Sequence, residues 1–268
     1  MQNNTSSALP GQYQNAANLN ARIALHQKYS TNKFGWFRWL FGQLKDIPPS
    51  AAVLDIGCGQ GNFWRENISE VPAGWVITLS DLSDGMMMDA WRNLVVTNRS
   101  FKYKQADATH LPFSDASFDV VIANHMLYAV SDTTLAIREI RRVLKPGGTL
   151  LASTFGKGHL LELYPFIEML DEHALQDQNN IFYLQPSFRL DNGAAQLEPV
   201  FSEVARLEYE DSFVIDATQP IMDYLLSGFD KNALAPGKTR DVQRELKNLL
   251  AHNGNITITK RSGCFVCK

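Results

Sequence analysis

Three glycines, each two positions apart, follow an aspartate in the stretch VLDIGCGQGNF at residues 53–63. Glycine adopts positive φ values without strain and leaves room for a ligand beside the main chain. Gly57, Gly59 and Gly61 therefore predict a turn that holds a ligand mainly through its backbone. Asp55 ends the apolar run before the turn and adds a carboxylate, which accepts hydrogen bonds.

The chain around this turn alternates short apolar runs with longer helical patterns, which is typical of βαβ units. Predicted strands cover residues 51–56, 75–80, 101–106, 117–124 and 149–155. Helical crossovers between them imply a right-handed, doubly wound parallel sheet. The segments VARLEYEDSFVI, NITITK and CFVCK also have strand character. We therefore expect an α/β fold with a mostly parallel, seven-stranded sheet, completed by two antiparallel strands, and with helices on both faces.

Helix boundaries follow from local signals. Asp84 is the expected N-cap of the helix after the second strand. An amphipathic helix over residues 159–175 is expected to break at Pro165, and Lys145-Pro146-Gly147-Gly148 is expected to end the helix before the fifth strand. Residues 219–229 and 240–252 also have helical patterns.

The chain is predicted to be a single domain over residues 1–268. Residues 1–45 would supply an N-terminal arm and lid helices, and residues 156–202 and 216–255 would form helical insertions over the active site. Residues 33–44, KFGWFRWLFGQL, carry an aromatic stripe at helical spacing. This helix could dock on the core or cover an apolar acceptor; a membrane-surface helix is disfavoured because its basic face is thin.

Composition favours a small-molecule partner. The 268 residues carry a formal net charge of −3, without the basic surplus typical of nucleic-acid or anionic-lipid binding. The polar start lacks the features of a signal peptide or an anchor, so we expect a cytoplasmic protein with no membrane partner. Oligomeric state is not indicated.

The cysteine pattern does not predict a metal site. Cys264 and Cys267 form a C-x-x-C on a predicted strand, where positions three apart face opposite sides. No second Cys or His pair stands at zinc spacing. The two thiols are therefore expected to pack in the core, and no metal is predicted.

The glycine pattern departs from the dinucleotide fingerprint, because Asn62 stands where G-x-G-x-x-G requires its last glycine. The D-x-G-x-G-x-G pattern instead resembles the first motif of class I S-adenosylmethionine-dependent methyltransferases. Three segments resemble later motifs of that family in the same order, namely ITLSD, QADATHLPFSDASFDVVIA and RVLKPGGTLLAST. The resemblance extends across nearly the whole chain and points to the family's small-molecule branch with its Rossmann-like fold.

The resemblance implies that S-adenosyl-L-methionine is the cofactor. The main chain of the turn would approach its methionine part, through Gly57, Cys58, Gly59 and Gly61. Asp55 would interact with the cofactor's ammonium group, or alternatively only cap the turn.

Residues after the later strands would hold the rest of the cofactor. Asp81 would accept hydrogen bonds from the ribose hydroxyls, and Asp107 from the adenine amino group, with Ala108 offering its N–H to the ring. A helix cap for Asp81 and an Asx-turn for Asp107 are the alternatives. The resemblance also implies that Leu82, Met86 and Leu111 enclose the adenine ring, with core packing as the alternative. Asn124 and His125 would contact the cofactor through their main chain, and Tyr29 would cover it.

Several side chains are candidates for a general base. His125 and His159 follow the fourth and fifth strands, at the edge where ligands bind, and Tyr128 and Tyr29 could also reach the site. Histidine suits proton transfer near neutral pH. Alternatively, both histidines only line the ligand pocket and transfer no proton.

These observations predict an S-adenosylmethionine-dependent methyltransferase that acts on oxygen, nitrogen or activated carbon of a small, partly apolar metabolite by in-line displacement. A non-catalytic cofactor-binding protein is an alternative, and a nicotinamide-dependent oxidoreductase is a weaker one. Nucleic-acid methylation is disfavoured because ANHMLY follows the fourth strand in place of an N/D-P-P-Y/F/W motif.

Overall fold

The structure is a computed structural model that describes residues 17–177, 180–183, 186–230 and 233–268. The polar start of the chain, residues 1–16, lies outside these ranges. The helices are α1 (Ala17–Tyr29), α2 (Trp36–Gly42), α3 (Asn62–Asn67), α4 (Asp84–Leu94), α5 (Thr133–Val143), α6 (Tyr164–Leu170), α7 (Gly193–Leu197), α8 (Thr218–Leu226) and α9 (Lys238–Asn253). The strands are β1 (Ala52–Ile56), β2 (Val76–Ser80), β3 (Lys102–Tyr103), β4 (Phe118–Asn124), β5 (Leu144–Phe155), β6 (Val204–Ile215) and β7 (Ile256–Cys267).

The strands form a seven-stranded sheet in the order β3-β2-β1-β4-β5-β7-β6. Strands β1 to β5 pair in parallel, and β7 runs antiparallel to β5. This arrangement confirms the predicted doubly wound, mostly parallel sheet. The strand order reverses between β1 and β4, so the carboxyl end of β1 lies at the topological switch point, where open α/β sheets bind ligands.

The chain forms two compact units. The larger unit comprises residues 34–157, 187–209 and 262–268. It has two apolar clusters, one around Leu54, Val121 and Ile140 and the other around Val53, Trp64 and Ile122. Neighbouring residues of β1 contribute to different clusters because side chains alternate along a strand.

The same alternation places the two C-terminal thiols on opposite faces of the sheet. Cys264 belongs to the cluster around Trp64, and Cys267 to the cluster around Leu54. Both are buried and free, which confirms the predicted packing on opposite faces. Among the described residues, no group of three or more His, Cys, Asp or Glu side chains is arranged to hold a metal ion.

The smaller unit comprises the described residues up to Lys33 together with residues 158–186 and 210–261. Helices α1, α6, α8 and α9 share one apolar cluster, which includes Leu25, Phe213 and Leu246. No helix in the described part of the chain is both long and apolar enough to cross a membrane. The prediction that all 268 residues form one domain remains a prediction, as do the arm, lid and insertion boundaries.

Four local expectations were wrong. Pro165 does not break a helix, because it lies in the first turn of α6. Backbone N–H groups in the first turn make no intrahelical hydrogen bond, so the N–H that proline lacks is not missed there. The N-cap of α4 is Ser83, whose hydroxyl accepts the N–H of Met86, so Asp84 is the first helical residue. Strand β3 has only two residues. Helix α5 ends at Val143, just before KPGG as expected, but the fifth strand begins at Leu144 and not at residue 149, so KPGG lies within β5, where the register shifts.

Candidate active site

The turn after β1 has three glycines at positive φ, with values of 65° at Gly57, 52° at Gly59 and 72° at Gly61. A Cβ on Gly57 would lie 2.7 Å from Met126 Cβ, and one on Gly61 would lie 2.8 Å from Leu94 Cδ1. A Cβ on Gly59 would meet no atom of the described residues within 4 Å. The outer two glycines are therefore required by packing, whereas the main chain at Gly59 is open on that side.

Asp81 connects this turn to the end of β2. Its Oδ2 accepts the N–H of Gly59 at 3.0 Å, and its Oδ1 accepts the N–H of Ser83 at 2.9 Å. Burial raises the pKa of Asp81, and these hydrogen bonds partly offset the shift. The carboxylate therefore supports the loop on both sides and keeps further acceptor capacity.

Cys58 lies between the first two glycines. Its N–H donates to the carbonyl of Ser80 at 3.0 Å, so this main-chain donor already has a partner. Burial raises the pKa of the Cys58 thiol well above its usual value, and Asp55 and Asp81 add to the shift. The thiol is therefore neutral near pH 7 and unsuited to act as a nucleophile.

Asp55 is buried at the carboxyl end of β1, with a relative exposure of 2%. Its Oδ2 accepts the indole N–H of Trp64 at 2.7 Å. Its Oδ1 is buried and has no hydrogen-bond partner among the described residues. Burial raises the pKa of Asp55 to about 7, although the Trp64 hydrogen bond favours the carboxylate.

The segment after β3 forms a tight turn. Asp107 Oδ1 accepts both the N–H and the hydroxyl of Thr109, each at 2.8 Å. This is the Asx-turn that sequence analysis left open, and it uses one of the two carboxylate oxygens. Ala108 beside it is buried.

The three expected adenine neighbours differ in exposure. Leu82 is 59% exposed, whereas Met86 and Leu111 are buried. Leu111 belongs to the cluster around Leu54, which supports its core interpretation. Leu82 instead presents an exposed apolar side chain directly after Asp81.

The end of β4 is fixed by Ser153 of β5. The Ser153 hydroxyl donates to Asn124 Oδ1 at 2.5 Å and accepts the N–H of His125 at 3.1 Å. His125 N–H also lies 3.1 Å from the Ser153 carbonyl, so this main-chain donor is already engaged. His125 has a φ of 52°, an uncommon value for a residue with a side chain.

Two aromatic side chains lie near the His125 ring. The Trp36 ring lies 5.2 Å from it and the Tyr128 ring 6.4 Å, measured between centroids. Trp36 also stacks on Trp39 at 5.4 Å and contacts Tyr209 at 5.3 Å. Helix α2 therefore docks on the core of the larger unit, which was one of its two predicted roles. This packing brings Trp36 beside His125, the candidate base.

His159 and Tyr29 belong to the smaller unit. His159 Nδ1 accepts the N–H of Arg261 at 3.0 Å, and the His159 carbonyl accepts the Tyr164 hydroxyl at 3.0 Å. Tyr29 is buried in the cluster of that unit. The roles predicted for these two residues remain predictions.

Two residues of this site were missed by sequence analysis. Trp64 was given no role, although an indole donor in the first turn after the glycines is a signal that a buried acceptor lies nearby. Ser153 was assigned only to a buried strand. Its signal is weaker, because a hydroxyl within an apolar run requires a partner but does not indicate which one.

Comparison with protein families shows that residues 54–152 match a methyltransferase domain model. The ubiquinone/menaquinone biosynthesis C-methyltransferase UbiE of Teredinibacter turnerae is 34% identical over 160 residues, which cover 55% of this chain and 64% of that protein. A malonyl-[acyl-carrier protein] O-methyltransferase of Erwinia pyrifoliae is 41% identical over 114 residues, which cover 41% and 40% of the two chains. The chain thus spans less than two thirds of the length of these relatives.

Among solved structures, the [4+2]-cyclase SpnF aligns with a TM-score of 0.60 at 18% identity, covering 98% of this chain and 96% of the other. This likeness concerns the fold alone. The family match and the two relatives confirm the predicted resemblance to methyltransferases, and the structural likeness confirms the predicted Rossmann-like fold.

Proposed function

We propose that the protein transfers a methyl group from S-adenosyl-L-methionine to a small, partly apolar acceptor in the cytoplasm. The observation that carries this proposal is the glycine turn at the switch point, which is open at Gly59 and lies between the buried carboxyl of Asp55 and the carboxylate of Asp81. Two curated relatives that act on different acceptors by C- and O-methylation support the reaction class but not one acceptor.

The donor groups of the turn fit this cofactor. Asp55 Oδ1 is a buried acceptor without a partner in the described part of the chain, which suits an ammonium group. Asp81 retains acceptor capacity for a ribose diol beyond its two main-chain hydrogen bonds. The exposed Leu82 is available to an adenine face, and Asp107 Oδ2 to its amino group.

When bound, the cofactor supplies an electrophilic methyl group on a sulfonium. The protein's contribution is alignment of the acceptor and exclusion of water, which are large terms in displacement reactions. The aromatic side chains of Trp36 and Tyr128, whose ring centroids lie 5.2 Å and 6.4 Å from that of His125, would favour an apolar or aromatic acceptor. No covalent nucleophile is needed.

A calorimetric titration followed by a transfer assay tests the proposal. We expect the protein to bind S-adenosylmethionine and S-adenosylhomocysteine but not NAD. Incubation with methyl-labelled cofactor and a metabolite extract should then give a labelled small molecule. Binding of NAD in place of the sulfonium compound would overturn the proposal.

A second function is favoured by one observation. The cyclase that aligns over 98% of this chain has the same fold and a name that denotes no methyl transfer. A cofactor-binding protein without transferase activity would bind S-adenosylmethionine yet label no metabolite in the same extract assay. The two arms of the experiment therefore separate the two functions.

We propose His125 as the general base, with Tyr128 and His159 as further candidates. A positioned base contributes roughly 10²–10⁴-fold to rate. With the labelled acceptor identified, His125→Ala should lower kcat by about that factor and remove the acidic limb of the pH–rate profile, whereas the same substitution at the exposed His173 should change neither. An unaltered pH–rate profile in the His125 variant would show that this residue only packs against the site and is not the base.

A further inference from the structure

Trp64 and Asp55 form a buried pair beneath the glycine turn. Trp64 is fully buried, and its indole N–H donates a hydrogen bond to Asp55 Oδ2 at 2.7 Å. The second oxygen of the carboxyl, Oδ1, is buried without a partner among the described residues. A buried carboxylate oxygen without a hydrogen bond is costly, so the ionised form is poorly stabilised before a ligand binds.

The surroundings of Asp55 also disfavour its negative charge. The titratable groups facing it are Asp81, after β2, and the Cys58 thiol in the turn. Strand β4 places the apolar Ile122 in register with it, and α3 contributes Trp64. Burial raises the pKa of Asp55 to about 7; Trp64 opposes this shift and Asp81 adds to it. Near neutral pH the carboxyl is therefore protonated in a large fraction of molecules.

We propose that Asp55 releases its proton to solvent when S-adenosylmethionine binds, and that Trp64 is a positioning residue that orients the resulting carboxylate. The O–H bond of the carboxyl breaks, the proton passes to buffer, and the carboxylate pairs with the cofactor's ammonium group. The inference rests on the proposed function, because it requires that ammonium group beside Asp55.

The geometry gives Trp64 a specific role in this step. Its N–H occupies Oδ2, which leaves Oδ1 as the carboxyl oxygen without a partner among the described residues. The same N–H stabilises the carboxylate more than the protonated acid. Loss of the indole donor should therefore make deprotonation harder without removing the titrating group.

Calorimetric titration of the full chain with S-adenosylmethionine measures the released proton. At about pH 6 an α-amino group remains protonated while Asp55 is mostly neutral, so buffers of different ionisation enthalpy should report release of roughly one proton. Affinity should fall about tenfold for each pH unit below ~6.5, because the proton must be displaced.

Three variants locate this effect. Asp55→Asn should bind more weakly and release no proton at about pH 6. Trp64→Phe should move the midpoint of the affinity profile upward by about one pH unit. Trp75→Phe is the matched control, because Trp75 is also buried in the larger unit and donates its indole N–H at 2.8 Å, but to the Pro48 carbonyl. Its midpoint should not move.

The outcomes separate the inference from the proposed function. Cofactor binding whose enthalpy is independent of buffer would overturn the inference and leave the function intact. Proton release that persists in Asp55→Asn would assign it to another group and also overturn the inference. If that variant does not fold, an unmoved midpoint in Trp64→Phe would have the same meaning. Absence of binding at every pH would overturn both.

Discussion

Asp81→Ala is expected to weaken S-adenosylmethionine binding at least 100-fold, by calorimetry, if hydrogen bonds to a charged group contribute about 1.5–3 kcal/mol each and the ribose diol makes two. The same carboxylate accepts the main-chain N–H groups of Gly59 and Ser83. Its removal therefore loosens the glycine turn as well as the proposed ribose contact, and the two losses add.

Two comparisons test this reasoning. Asp81→Asn keeps one acceptor oxygen and should lie between the wild type and the alanine variant in affinity. Asp84→Ala removes an exposed carboxylate three residues further on, in the first turn of α4, and should leave the dissociation constant unchanged. Wild-type affinity in Asp81→Ala would refute the ribose assignment.

Lys260→Met is expected to destabilise the protein by about 3–5 kcal/mol, because it leaves a buried carboxylate without its cation. Lys260 Nζ contacts Asp211 Oδ2, and the two side chains are 3% and 0% exposed. Asp211 also accepts the Ser30 hydroxyl and the Asn32 N–H. Burial alone would raise the pKa of Asp211, but these partners outweigh it and hold the pKa below its ordinary value.

The sign of the pH dependence follows from that shift. A lowered pKa in the folded state stabilises the protein above the ordinary pKa near 4, and this contribution is lost as pH falls through the folded value. In Lys260→Met the pKa of Asp211 should instead rise, so the loss of stability should be larger at neutral pH than near pH 4. Urea denaturation at both pH values measures the difference.

An exposed ion pair of the same unit provides the control. Arg244 contacts Asp241 at 2.9 Å on α9, and both side chains are largely exposed. Arg244→Met should cost less than about 1 kcal/mol. Adding Asp211→Asn to Lys260→Met should restore much of the lost stability, since no uncompensated charge then remains. Equal losses for Lys260→Met and Arg244→Met would contradict the prediction.

The sequence predicted the sheet well because its signals are local. The apolar runs before Asp55 and Asn124 mark buried parallel strands, and the helices between them fix the handedness. The two-residue length of β3 and the inclusion of KPGG within β5 depend on pairing with neighbouring strands. Pairing is a tertiary property, and no local pattern records it.

The site was predicted only in part for a similar reason. The glycines and the acids at strand ends are local motifs, but Asp55 is nine residues from the indole that binds it, and His125 is 28 residues from the serine that fixes it. Hydrogen bonds of this range form only after the chain folds. Sequence analysis therefore identified the turn and its acids but not Trp64 and Ser153, which bind Asp55 and His125.

The short strand β3 also affects how copies of this protein can meet. It is the outermost strand at one end of the sheet and consists of Lys102 and Tyr103 alone. A long, flat edge offers unpaired main-chain groups to which a foreign strand can add, and short edges carrying lysine are a common protection against such aggregation. At this end, self-association by strand addition would gain few hydrogen bonds, so a contact between copies there would depend on side chains.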